Sequence, residues 1–84
     1  MIHFTLYSRT YCHLCDDMLV ALRALEIMSP MLITVVDVDA DETLVAQYDE
    51  LVPVLFASRD GHLGQQLCHY FLDEAAVWAF IAEA

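Results

Sequence analysis

Lysine is absent from this chain, and its basic side chains are three arginines against thirteen Asp and Glu. The formal net charge of -10 offers nucleic-acid phosphate no basic groove and disfavours docking on an anionic bilayer. The same charge steers a partner with a basic rim. No apolar run is long enough to span a membrane. The start, Met1-Ile2-His3-Phe4, lacks the basic segment of a secretory signal, so a cytoplasmic location is expected. Cysteine is scarce and odd in number, at three, which is unlike a disulfide framework. In a reducing compartment, a retained pair reads as catalytic or metal-binding. The 84 residues, 60 % of them apolar, are enough for one small core, and one domain over 1–84 is expected.

Ile2 to Tyr7 alternates weakly and reads as a strand, and Ser8 to Tyr11 as a loop. Leu14, Met18, Leu22 and Leu25 then recur at helical spacing, with Ala21 and Ala24 adding propensity. Ser29-Pro30 ends that helix. Leu32 to Val36 is a β-branched run and predicts a central strand. Asp39 to Glu42 opens a short helix reaching about Tyr48. Val52-Pro53-Val54-Leu55-Phe56 starts the next strand, since proline suits a strand's first residue. Asp60-Gly61 signals a turn into a strand over His62 to Leu67. A last helix runs from roughly Asp73 to Glu83 with Ala76, Val77, Phe80 and Ile81 on its apolar face, and Trp78 flanks it. The order is β-α-β-α-β-β-α. The first two strands should be parallel and the last two a hairpin, in a four-stranded mixed sheet with helices on both faces.

The chemistry concentrates at Cys12-His13-Leu14-Cys15, between the first strand and the first helix. A cysteine at a helix N-terminus meets unpaired N–H groups and the positive end of the dipole, which favour thiolate. Thiolate is the species that attacks disulfides. This spacing beside a βαβ pattern reads as a redox motif. Two inert structural cysteines, or half of a tetrahedral metal shell, are the other readings of the pair.

The chain resembles the thioredoxin-fold glutaredoxins, most closely the small bacterial glutaredoxin-like proteins with a Cys-His-Leu-Cys motif. The residues that carry the resemblance are Leu6-Tyr7-Ser8-Arg9, Cys12-His13-Leu14-Cys15-Asp16, Val35-Val36-Asp37-Val38-Asp39 and Val52-Pro53-Val54-Leu55. It implies a thiol–disulfide oxidoreductase of thioredoxin-like fold, with Cys12 attacking and Cys15 resolving. Chemistry gives the same order, with Cys12 at the helix mouth and Cys15 nearer the core. The resemblance puts Arg9, Tyr11, His13, Val52 and Pro53 at the substrate. Arg9 would stabilise thiolate and meet a glutathione carboxylate, His13 would tune the local charge, and Pro53 would be cis. The Val52 backbone would pair with an extended peptide.

The family's paired glycines after the hairpin have no counterpart, because Gly64-Gln65-Gln66-Leu67-Cys68-His69 stands there. That removes an expected cradle for glutathione. No tightly bound cofactor or metal is expected, and the reductant is glutathione or a protein dithiol. The partners expected are a disulfide-containing protein or small thiol and a dithiol donor, with the chain a monomer. Cys68-His69 reads as a half-buried thiol beside a surface histidine, and Asp37, Asp39, Asp41 and Glu42 as a solvated helix start. The competing function is a non-catalytic binding module of the same fold, handling a metal through Cys12 and Cys15.

Overall fold

Alternation along the first strand puts Phe4 and Leu6 on one face and Tyr7 on the other, and this divides the molecule into layers. The computed structural model describes residues 1–59 and 64–83. Its elements are β1 (Ile2–Ser8), α1 (His13–Glu26), β2 (Met31–Asp37), a 3₁₀ turn (Val38–Ala40), α2 (Glu42–Tyr48), β3 (Val54–Ser58), β4 (Gln65–His69) and α3 (Glu74–Ala82). The four strands form one mixed sheet in the order β2-β1-β3-β4. β1 runs parallel to β2 and antiparallel to β3, and β4 closes a hairpin on β3. This is the thioredoxin-like β-α-β-α-β-β-α arrangement that the sequence predicts.

One face of the sheet carries the main core. Phe4 and Leu6 from β1, Met31 from β2, and Leu55 and Ala57 from β3 pack with Met18, Leu22 and Leu25 of α1 and Val77 and Phe80 of α3. The helical spacing of Met18, Leu22 and Leu25 lays them on a single stripe facing the sheet. The opposite face is aromatic. Tyr7 of β1 stacks on Tyr48 of α2 at 4.8 Å between ring centroids, and Phe56 of β3 meets both rings edge-on. Burial holds the Tyr48 hydroxyl protonated to higher pH than usual, with Tyr7 adding to the effect.

Three expectations need correction. The run Leu32 to Val36 lies in an edge strand, not a central one: β1 and β3 occupy the centre. β1 uses its second edge for β3, so β2 is left with one neighbour, and Leu32 and Val35 are exposed. β-branched residues suit any pleated, half-buried surface, so composition alone does not distinguish centre from edge. The last strand is Gln65–His69 rather than His62 to Leu67. The Asp60-Gly61 turn and His62 lie outside the described residues. The short helix is also divided, since Asp37 caps the 3₁₀ turn through Asp39 N–H and Asp41 caps α2 through Thr43 N–H. Asp73 caps α3, accepting from Ala76 N–H at 3.0 Å.

Candidate functional site

Strand register gathers the candidate residues at one end of the sheet. Ser8 pairs with Asp37, Tyr7 with Val54, and Val54 with His69. The segments that leave β1 and β2, enter β3 and leave β4 therefore share that end. These are Arg9–Cys12, Val38–Asp41, Val52-Pro53 and Tyr70-Phe71.

Cys12 is the N-cap of α1, in extended conformation. Its Sγ accepts the backbone N–H of Cys15 at 3.1 Å, and its carbonyl accepts Asp16 N–H at 3.1 Å. A sulfur thus takes the place that a serine or aspartate oxygen fills at most helix starts. Cys12 and Cys15 are joined as a disulfide with 5.2 Å between their Cα atoms. The two sulfurs differ in access: Cys12 is half-buried, whereas Cys15 faces the core at 2 % exposure. The half-exposed sulfur at the cap can meet another molecule, and the buried one can reach only its neighbour.

The flanking residues have separate surroundings. His13 opens α1 and is exposed. Tyr11 is 99 % exposed with φ 61°, a left-handed conformation rare for a bulky side chain and held at a cost. The Val52-Pro53 bond is cis, with Pro53 buried. Val52 donates its N–H to the Tyr48 carbonyl at 3.1 Å, and the Pro53 carbonyl accepts Tyr70 N–H at 2.9 Å.

Arg9 is bound within the chain. Its Nη2 meets Asp39 Oδ1 at 2.6 Å and its Nε donates to Asp39 Oδ2 at 3.2 Å, a two-pronged pair. Asp49 lies 3.8 Å from its Nη1. The hydrogen bond to Asp39, and then the charge of Asp39, raise the arginine pKa still further, so Arg9 stays cationic. The sequence shows Asp39 as a carrier of the resemblance and as part of an acidic helix start, not as the partner of Arg9. The β1–β2 register would have found it, since it brings Asp37 beside Ser8.

Tyr70 was also missed. It has φ 64° and its hydroxyl donates to the Glu50 carbonyl, and nothing in tyrosine's propensities announces that conformation. Cys68 packs half-buried against the main core, and burial pushes its thiol pKa up. His69 is exposed, its ring edge-on to Tyr70. Among the described residues, no group of three or more His, Cys, Asp or Glu is arranged to hold a metal ion. No helix among them is long and apolar enough to cross a membrane.

Residues 3–82 match the family described as glutaredoxin-like domain (DUF836). No curated protein matches the chain. Among solved structures, protein Ne2328 from Nitrosomonas europaea is 38 % identical, with a TM-score of 0.82 over 94 % of this chain and 89 % of that one. The target protein XcR50 from X. campestris is 34 % identical, with a TM-score of 0.66 over 96 % and 97 %. Mitochondrial thioredoxin 3 from Saccharomyces cerevisiae, in its oxidised form, shares the fold at 19 % identity, with a TM-score of 0.74 over 99 % and 78 %.

Proposed function

The chain belongs to the glutaredoxin-like domain family and is a thiol–disulfide oxidoreductase; we propose that Cys12 is its attacking sulfur and Cys15 its resolving one. In the reduced protein the Cys12 thiolate attacks one sulfur of a substrate disulfide, and the other substrate sulfur leaves with the electron pair. The mixed disulfide on Cys12 is then attacked by Cys15. The second substrate thiolate departs and the internal disulfide closes, so two thiols are oxidised for one disulfide reduced.

The observation that carries this assignment is the asymmetry of the pair. Cys12 Sγ sits at the helix cap and accepts an N–H, while Cys15 is buried against its neighbour. Both the N–H and the dipole stabilise negative charge on Cys12 when the disulfide opens.

In this reading Tyr11 and His13 flank the incoming disulfide, and Val52 and Pro53 form the opposite lip. Because Val52 N–H is engaged by Tyr48, its carbonyl is the atom offered to an extended substrate. The substrate is a protein disulfide or a small thiol disulfide. The reductant is glutathione or a protein dithiol, and the setting is a reducing cytoplasm with the chain a monomer over 1–84.

Redox titration in defined dithiothreitol buffers, read by intact mass, tests the assignment together with catalysed reduction of a protein disulfide. The expected result is reversible gain and loss of two hydrogens and turnover that requires Cys12. A chain that cycles its disulfide yet reduces no substrate would support the binding-module reading instead.

A further inference from the structure

Arg9 is the one lysine or arginine on the redox loop. The other two arginines, Arg23 and Arg59, are held elsewhere. Arg23 lies 3.8 Å from Glu26 on α1. Arg59 donates to the Phe80 carbonyl, with its guanidinium 4.5 Å from the centre of the Phe80 ring. An anionic thiol approaching Cys12 therefore has Arg9 as its only arginine or lysine partner, and the fork of Arg9 is filled by both oxygens of Asp39.

Asp39 is itself fixed, because its N–H is tied to Asp37 Oδ1 at 2.9 Å. Asp49 adds a further carboxylate beside the guanidinium. Asp16 and Asp17, both exposed, lie in and next to the first turn of α1. The side chains of Arg9 and Asp39 remain 35 % and 44 % exposed, so the pair competes in water with any carboxylate brought by a substrate. An intramolecular, two-pronged partner wins that competition against a dilute one.

We propose that Asp39 is a specificity-determining residue that withholds Arg9 from carboxylate-bearing thiols, making glutathione a poor reductant of the Cys12–Cys15 disulfide. The inference rests on the oxidoreductase reading and sharpens it. In the step concerned, a glutathione thiolate attacks Cys12 Sγ, the internal disulfide breaks, and Cys15 leaves with the electron pair and takes up a proton. A second glutathione thiolate attacks the glutathione sulfur of the mixed disulfide. This forms oxidised glutathione and releases Cys12 as thiolate. Each thiolate must cross the field in which Arg9 is neutralised. Asp39 acts on its approach rather than on the sulfur chemistry.

The test is a charge series of small thiols against the oxidised protein by stopped flow: glutathione, β-mercaptoethanol and cysteamine, whose attacking thiolates carry successively less net negative charge. For Asp39→Asn and Asp39→Ala the glutathione rate constant should rise about three- to tenfold at low salt. The β-mercaptoethanol rate should rise less, because its thiolate brings no carboxylate, and the cysteamine rate should hold, because its ammonium balances its thiolate. The glutathione gain should shrink towards unity as salt brings the screening length to roughly 3 Å at 1 M. In Arg9→Gln/Asp39→Asn the gain should disappear, since no fork is released. Equal acceleration of all three thiols would make Asp39 a mere loop clamp and overturn the proposal. So would a gain that survives loss of Arg9. A wild-type disulfide that no thiol reduces would instead defeat the oxidoreductase reading.

Discussion

Tyr70 donates its backbone N–H to the carbonyl of Pro53 at 2.9 Å. Its hydroxyl donates to the carbonyl of Glu50. One residue after β4 thus holds both ends of the segment that leads from α2 into the cis bond. Tyr70→Phe removes only the hydroxyl contact and should lower stability by about 0.5–1.5 kcal/mol. Urea unfolding would show a lower midpoint with an unchanged slope. A midpoint equal to that of the wild type would mean that water replaces the hydroxyl at no cost.

The unequal burial of the two active sulfurs predicts unequal variants. Cys15→Ser should accumulate a mixed disulfide on Cys12 when given a protein disulfide, whereas Cys12→Ser should form none and lose activity. Intact mass after quenching in acid reads both. Trypsin cuts after Arg9, Arg23 and Arg59, so Cys12 and Cys15 fall in one peptide and Cys68 in another. An oxidised sample should give the first peptide two hydrogens lighter and the second with a free thiol. A cross-linked pair of peptides would reverse the assignment.

Burial raises the Cys68 thiol pKa, and the Asp73 charge adds to the rise while a backbone hydrogen bond from Asp73 opposes it. Native protein should therefore alkylate slowly at Cys68 at neutral pH and fast after unfolding, as iodoacetamide labelling of the reduced chain would show. The sign for stability follows from the same direction. Folded Cys68 holds its proton to higher pH than the unfolded thiol, so its contribution is intact below the free-thiol value of about 8.5. It is lost as pH rises from there through the folded value. Cys68→Ala should flatten the alkaline decline of the unfolding midpoint, and an unchanged decline would assign it to other groups.

The core gives the largest expected stability effect. Leu22 is fully buried between α1 and the sheet. Leu22→Ala should cost about 2–5 kcal/mol, a large share of the stability of a domain this size. Asp73→Ala, which removes only a helix cap, should cost about 1 kcal/mol. Thermal melts of the two variants should rank in that order.

What could be read in advance was whatever local chemistry determines. The helical stripe at Met18, Leu22 and Leu25 and the two cysteines at a helix start each carry their own signal and stand in place, whereas Val52 and Pro53, expected to open the strand, precede it, since β3 begins at Val54. Strand directions were legible, since the parallel first pair and the closing hairpin both stand, but side-chain contacts between distant segments were not. Asp39 meets Arg9 across 30 positions, and only the register of β1 on β2 brings them together. The edge position of β2 depends on where β3 inserts, which no property of Leu32 to Val36 encodes. Left-handed Tyr11 and Tyr70 contradict residue preference, so tyrosine's own propensity gives no sign of them.

The length of α1 has one more consequence. Fourteen residues at about 1.5 Å each carry the chain roughly 21 Å from the cysteine loop to the far end of the sheet. There the helix releases Ile27 and Met28, 88 % and 76 % exposed. The molecule therefore has a reactive pole and an apolar pole separated by the length of its own strands. A dye, bead or fusion attached near Ser29 would hold the protein by its inert end and leave the disulfide facing solution.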